Sequence, residues 1–190
     1  MRIIAGKYKN QQISGGKNSY QILKPTTERV REAIFNIIGS HKELDADFLM
    51  NANVLDLFAG SGAFGIEALS RGARYATFID NNHQSLNTCR QNLLKLHITN
   101  AECVLFDVCK LQGSNKRYEL IFLDPPYTHP ELIEKTLQAL SLGNWIANEH
   151  VIIIEHSKAQ FIIPNNFAVL MHRRYGVSNI TMIKANILSL

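Results

Sequence analysis

Val54-Leu55-Asp56-Leu57-Phe58-Ala59-Gly60-Ser61-Gly62-Ala63-Phe64-Gly65 is the stretch around which the chain is organised. A short apolar run leads into a glycine-rich turn, and Ile66, Glu67, Ala68 and Leu69 continue with a helical pattern. The arrangement reads as a buried parallel strand, a tight loop and a helix N-terminus. In open α/β sheets such loops lie at the carboxyl ends of strands, where ligands bind.

The turn has the spacing G-x-G-x-x-G, from Gly60 through Gly62 to Gly65, and Asp80 follows 20 residues after the first glycine. A dinucleotide fold has that spacing too, so the pattern alone does not choose the ligand. Asp56 does the choosing. A pyrophosphate lying against this turn would be repelled by a carboxylate, whereas a ligand carrying a sulfonium and an amino group would be attracted. The loop therefore favours S-adenosylmethionine over NAD. The competing reading is that Asp56 caps a neighbouring helix or pairs with an arginine.

The chain has 190 residues, enough for one domain with a sizeable core and a small appendage. Hydrophobic residues make up 46% and charged residues 19%, as in a globular domain that does not sit in a membrane. No apolar run approaches a membrane span, and the N-terminus lacks an apolar signal core, so an intracellular, cytoplasmic protein is expected. Cys89, Cys103 and Cys109 have no C-x-x-C spacing and read as reduced thiols. His83 and His97 stand 14 residues apart on one predicted helix, too far to share a metal, and no metal site is expected.

Charge is unevenly placed. Arg2, Lys7, Lys9, Lys17, Lys24, Arg29 and Arg31 face one acid, Glu28, so residues 1–31 carry +6 and the rest must carry −2 to reach the net +4. A basic segment on a near-neutral body points to a polyanion partner or to a solvated edge.

Short extended patterns around Gly6 and Gly15-Gly16 predict a small hairpin or arm over residues 1–24. Pro25-Thr26-Thr27 introduces a helix to about Ile38, capped by Thr26 or Thr27, with Val30, Ala33, Ile34, Ile37 and Ile38 on its apolar face. Residues 40–53 read as a polar connection. Strands are then predicted at Val54–Phe58, Tyr75–Asp80, Glu102–Phe106, Tyr118–Asp124 and Val151–Glu155, with helices following the first strand and over Asn81–His97 and Glu131–Leu142. The alternation predicts a parallel sheet covered on both faces. Phe167–Arg173 and Ile180–Lys184 are strand-like and separated by a short link around Gly176, which permits only an antiparallel hairpin. The expected fold is α/β and Rossmann-like, mostly parallel, with an antiparallel C-terminal hairpin and a small N-terminal extension.

The second chemical signal is Asp124-Pro125-Pro126-Tyr127, closing the strand Leu120–Asp124. Two prolines cannot continue a central strand or easily start a helix, so the backbone is rigid there. The Asp124 carboxylate and the Pro125 carbonyl can accept hydrogen bonds from a planar NH₂ group, while Tyr127 offers a face for a nucleobase. Together they would hold an exocyclic amino nitrogen with its lone pair aimed at a methyl donor. Glu155-His156 ends a strand beside this site, and an ordinary structural histidine is the preferred reading of His156.

Phe58–Gly62 followed by Asp124–Tyr127 resembles the class I methyltransferases that modify amino groups of nucleic acids. Within them the chain resembles the RsmD family of 16S ribosomal RNA guanine-N2 methyltransferases over nearly its whole length. Met1–Lys7, Lys24–Glu32, Ala68–Gly72, Glu155–Ser157 and Arg174–Gly176 are similar to signatures of that family. The resemblance implies an S-adenosylmethionine site formed by Asp56, Phe58, Ala59, Gly60, Ser61, Gly62, Asp80, Asn81, Asp107 and Val108. Asp56 and the Gly60–Gly62 backbone would hold the methionine part, Asp80 the ribose hydroxyls and Asp107 the adenine amino group. Asp124, Pro125, Pro126 and Tyr127 would form the catalytic motif around a flipped or unpaired guanine. Transfer would be direct and in line, without metal or covalent enzyme intermediate.

The same resemblance implies a division into a basic RNA-contacting segment, 1–39, and a methyltransferase domain, 40–190. The segment would use Arg2, Lys7, Lys24, Thr26, Thr27, Arg29 and Arg31. The expected partner is 16S ribosomal RNA in an assembling small subunit, met by a monomer. The chain departs from the family pattern at Lys24, usually Arg, at Asn10-Gln11, usually Gly-Arg, and at Asp80, often Glu. Competing readings are a DNA adenine or cytosine amino-methyltransferase, a non-catalytic RNA-binding assembly factor and, least favoured by Asp56, an NAD-dependent oxidoreductase.

Overall fold

The computed structural model describes residues 1–15, 28–157 and 161–186. Lys24, Thr26 and Thr27 of the expected RNA-contacting set, and the expected cap of the first helix, lie outside the described residues. The elements in order are α1 (Glu28–Ser40), α2 (Phe48–Asn51), β1 (Asn53–Leu57), α3 (Ala63–Ser70), β2 (Tyr75–Asp80), α4 (His83–Lys95), β3 (Ala101–Leu105), a 3₁₀ turn (Val108–Lys110), β4 (Tyr118–Leu123), α5 (Glu131–Leu142), β5 (Ile146–His156), β6 (Phe167–Tyr175) and β7 (Ser178–Ala185).

Seven strands form one sheet in the order β3-β2-β1-β4-β5-β7-β6. β1 pairs in parallel with β2 and β4, β2 with β3, and β4 with β5. β7 is antiparallel to both β5 and β6. Strand order reverses between β1 and β4, and the crevice outside their carboxyl ends is where such a sheet binds its ligand. The two sequence signals, the turn after Leu57 and the motif at Asp124, emerge side by side at that point.

Alternation along the strands splits the core in two. Val54, Phe78, Leu120, Phe122 and Ile153 pack with α1, α3 and α4 on one face. Leu55, Leu57, Ile121, Leu123 and Ile154 pack with α5 on the other. Phe64 of α3 stacks between Phe35 of α1, at 4.9 Å, and Phe122 of β4, at 3.9 Å. Ile3, Ile13, Val30 and Ile34 belong to the same buried cluster as Val54 and Phe64, so the N-terminal residues share the core of the sheet.

Boundaries differ from the sequence reading mainly where tertiary pairing recruits polar residues. The polar connection contains the four-residue α2. β5 begins at Ile146 instead of Val151, because Ile146 pairs with Tyr118 across an irregularity before Leu120 pairs with Val151. The interruption, Asn148-Glu149-His150, hid this part of the strand from hydrophobic patterning.

The N-terminal residues are anchored by a buried carboxylate, Glu67 of α3. It accepts from the backbone amides of Ile4 at 2.8 Å and Ala5 at 3.0 Å, and from Arg71 Nε at 2.8 Å. Arg31 of α1 completes the cluster, with Nε 3.5 Å from Glu67 Oε2 and a terminal nitrogen donating to Arg2 O at 2.5 Å. Arg31 is 0% exposed, and burial lowers its pKa against the opposing pull of Glu67. This corrects the expectation that Arg31 contacts RNA: its guanidinium is enclosed where a phosphate cannot reach it. Lys7 lies against the far end of α3 from the glycine turn, its amide bonded to Ser70 O.

Glu67→Ala would leave Arg31 buried without its counter-ion. The variant is expected to lose about 3–5 kcal/mol of stability, read from urea unfolding. A loss below about 1 kcal/mol would show that the pair does not anchor α1.

Candidate active site

The turn after β1 is built from strained and closely packed backbone. Phe58, Gly60 and Gly62 have φ of 59°, 57° and 77°. A bulky residue at positive φ persists only when its surroundings hold it there, and here the next amide, Ala59 N, is fixed to Ile79 O of β2 at 3.1 Å. Gly62 has two reasons to lack a side chain, its left-handed φ and a Cβ that would sit 2.5 Å from Cys89 Sγ. A Cβ on Gly65 would sit 2.4 Å from the Phe78 ring. A Cβ on Gly60 would meet nothing closer than Phe58 O at 3.9 Å, so the first glycine borders open space.

Two carboxylates hold this turn from below. Asp56 Oδ2 accepts from Gly65 N at 2.9 Å. Asp80, at the end of β2, accepts from Gly60 N through Oδ2 and from Asn82 N through Oδ1, both at 2.8 Å. Asn82 in turn caps α4 by accepting from Gln84 N and Ser85 N. Asp56 is 2% exposed, and burial pushes its pKa up to about 8, assisted by the charge of Asp80 and opposed by the Gly65 amide. Burial also raises Asp80, against the pull of its backbone donors.

The expectation that Asp56 presents a carboxylate to the ligand is therefore corrected. It faces the α3 side of the sheet and caps that helix, because alternation along β1 puts it on the same face as Val54. The argument against a pyrophosphate survives on different grounds. Anion-binding turns need outward N–H groups, but the amides of Ala59, Gly60, Gly62 and Gly65 are all bonded within the protein. Asp80 takes backbone donors from Gly60, Asn82 and Asn81, fewer than the roughly four lone-pair sites of a carboxylate, so it retains a place for a hydroxyl donor.

At the end of β3, Asp107 caps the 3₁₀ turn through Cys109 N at 3.0 Å and lies 3.3 Å from Lys110 Nζ, while Val108 is buried. Asn81 is exposed between Asp80 and the cap of α4. Asp124 follows β4, with its amide 3.5 Å from Leu57 O. Pro125 is buried and Pro126 exposed. Pro126 O accepts from His129 N at 2.9 Å, which closes the loop.

The Tyr127 hydroxyl donates to Glu155 Oε1 at 3.1 Å and lies 3.1 Å from Ser178 Oγ. Burial and the Glu155 charge raise its pKa, so it stays a neutral phenol. Sequence reasoning missed Glu155 and Ser178 as the anchors of the tyrosine. Glu155 at the end of a strand beside the site was the only signal available.

On the α5 face, His156 Nδ1 donates to Ser157 O at 2.6 Å, which leaves Nε2 to accept from Thr181 Oγ1 at 2.8 Å. His172 Nδ1 then donates to that oxygen at 2.9 Å. Burial lowers the pKa of His156, and the side chain is a neutral, satisfied structural histidine. A hollow also lies away from this crevice, at the amino ends of the strands among Asn53, Arg74, Tyr75 and Tyr118. The three cysteines are free thiols, with Cys89 and Cys103 sulfurs 3.6 Å apart.

A family model described as "Conserved hypothetical protein 95" matches residues 1–184. The chain is 35% identical over 176 residues to "Ribosomal RNA small subunit methyltransferase D" of Escherichia coli K12, covering 91% of this chain and 83% of that protein. It is 37% identical over 175 residues to the protein of that name from Buchnera aphidicola of Baizongia pistaciae, covering 90% and 84%. The chain belongs to the RsmD family. Among solved structures, the putative methyltransferase yhhF from Escherichia coli superposes with a TM-score of 0.80 at 30% identity, over 97% of each chain. A putative methylase from Haemophilus influenzae gives 0.76 at 28% identity, also over 97% of each. The sheet of this RsmD-family chain is thus that of the class I methyltransferases.

An S-adenosylmethionine-type ligand fits the crevice on three grounds. The turn has no free amide array for a phosphate among the four amides named, its first glycine borders open space, and Asp80 ends the neighbouring strand with acceptor capacity to spare.

Asp56 also predicts a pH effect. Its folded pKa is about 8, against about 3.9 unfolded. Between those values the native state holds a proton that the unfolded state has released, so stability falls as pH rises through the window. Asp56→Asn keeps an acceptor for Gly65 N and should flatten this decline, read from urea unfolding at pH 5 and pH 8. An equal decline in both proteins would assign the titration to another group.

Proposed function

We propose that this chain transfers a methyl group from S-adenosylmethionine to the exocyclic N2 of a guanine in 16S ribosomal RNA, met in the cytoplasm in an assembling small subunit. The observation that carries the reading is the rigid Asp124–Tyr127 loop one strand from the glycine turn, at the point where strand order reverses. Relatives named as small-subunit ribosomal RNA methyltransferases support RNA over DNA as the substrate.

When bound, S-adenosylmethionine supplies an electrophilic methyl group. Phe58, Ala59, Gly60, Ser61 and Gly62 would line the methionine side of its site, with Asp56 shaping that turn from beneath. Asp80 and Asn81 would take the ribose hydroxyls, and Asp107 and Val108 the adenine. Asp124 and the Pro125 carbonyl would accept from the guanine N2 protons, fixing the direction of the nitrogen lone pair. Pro126 keeps the loop from relaxing. Tyr127, its hydroxyl tethered to Glu155 and Ser178, would present its ring to the base. Positioning supplies most of the rate, and the Asp124 carboxylate stabilises positive charge developing on N2. Arg2, Lys7 and Arg29, exposed on the N-terminal segment, would contact RNA phosphates together with Lys24, Thr26 and Thr27.

The test uses 16S ribosomal RNA and small subunits purified from cells lacking the enzyme, with DNA as a control. The modified nucleoside is identified by mass spectrometry. N2-methylguanosine in the RNA is expected, and methylated adenine or cytosine in DNA would overturn the reading. Asp124→Ala should lower methyl transfer at least ~100-fold with the affinity for S-adenosylhomocysteine unchanged by calorimetry. S-adenosylhomocysteine, and not NAD, should raise the melting temperature.

A further inference from the structure

The β6–β7 hairpin tip stands at the same end of the sheet as Asp124. β5 runs parallel to β4, so Glu155 and His156 end there. β7 starts there, with Asn179 opposite His156 and Ile180 opposite Glu155. β6 returns there, with Arg173, Arg174 and Tyr175 opposite Ile180, Asn179 and Ser178. Gly176 and Val177 make the two-residue turn. The φ of Gly176 is +64° and that of Val177 is not positive, as a type II′ turn requires. The first residue after this turn, Ser178, is the one bonded to Tyr127.

Arg173 and Arg174 are exposed, and neither is paired with a carboxylate among the described residues. Alternation puts them on opposite faces of the edge strand. They lie two strand spacings, about 10 Å, from the end of β5. Arg174 is oriented by its bond from Nε to Gly176 O at 3.0 Å, which uses one of five guanidinium N–H groups. Val177 between them and the site is 62% exposed. Across the strand from Arg174, Asn179 is buried, and its Nδ2 has no acceptor among the described residues.

We infer that this hairpin tip is a second RNA grip, in which Arg173 and Arg174 bind the phosphates flanking the target nucleotide. The inference rests on the RNA-methylating reading of the site. On that reading one base is held beside Tyr127 and the rest of the RNA must be gripped elsewhere, and the N-terminal segment has lost Arg31 to the core and holds Lys7 at the far end of α3. Among the described residues, the tip is a cationic feature joined directly to Tyr127, through Ser178. Basic residues on an edge strand also deter strand pairing between molecules, and that role gives a different result below.

The test measures binding of 16S ribosomal RNA, purified from cells lacking the enzyme, across a salt series. For Arg173→Ala/Arg174→Ala, the slope of log affinity against log salt should shrink by about 1.4 to 1.8, two phosphate contacts at about 0.7–0.9 each. The KM for RNA should rise with kcat little changed, and S-adenosylhomocysteine affinity should stay as in wild type. Arg173→Lys/Arg174→Lys, which keeps both charges, should restore the slope even though the bond to Gly176 is altered. An unchanged slope in the alanine variant overturns the inference, and self-association of that variant with an unchanged slope assigns the arginines to edge protection. Wild-type binding that does not depend on salt also overturns it. A wild type that binds RNA with the expected slope but transfers no methyl group to it overturns the methyltransferase reading, and leaves the hairpin inference to be decided by the slope.

Discussion

Glu67 is a charge held inside the protein by four donors from three parts of the chain. The amides of Ile4 and Ala5 come from the N-terminal segment, Arg31 from α1 and Arg71 from the C-cap of α3. An isolated buried carboxylate is far too costly to persist, and so is an isolated buried guanidinium. Each therefore depends on the other, and on the backbone groups that both also engage. The segment before the sheet is thereby fastened to α3, the helix that begins at the glycine turn. Anything bound by the exposed residues of that segment is held in fixed relation to the ligand crevice, with no hinge needed between them.

Two acids shape the turn, Asp56 buried beneath it and Asp80 with acceptor capacity remaining. Asp56 and Asp80 take amides that a phosphate-binding loop would leave open. A turn whose Ala59, Gly60, Gly62 and Gly65 amides are bonded within the protein, beside a carboxylate with acceptor capacity remaining, suits a zwitterionic or cationic ligand with hydroxyls better than a pyrophosphate. The positive φ of Phe58 is the local cost, and the pairing of Ala59 with Ile79 holds it in place.

The antiparallel end of the sheet has its own part in the site. Parallel strands deliver the Asp124–Tyr127 loop and the glycine turn, but the tyrosine is fixed by Glu155 at the end of β5 and Ser178 at the start of β7. A strand running the opposite way is what lets the chain place a side chain at that edge immediately after a two-residue turn. The hairpin thus fixes Tyr127 as well as extending the sheet.

Much of the fold was legible in the sequence. The glycine turn, the near-continuous apolar strands and the alternation with helices led to a mostly parallel sheet, and the short link at Gly176 led to the terminal hairpin. Tyr75–Asp80 and Glu131–Leu142 have the limits expected of them. These features depend on local periodicity and turn chemistry, which a sequence carries directly. The proline motif at the end of a strand was legible for the same reason. Tertiary structure alone decided which charges are available. Arg31 and Asp56 read as an RNA contact and a ligand contact, but both are enclosed, because the face each occupies depends on what packs over it. The partners of Tyr127, 28 and 51 residues away, and the start of β5 at Ile146 were likewise set by neighbouring strands. Hydrophobic pattern fixes which residues must be buried together, whereas the environment of a polar residue is set by distant segments, and only the folded chain brings those together.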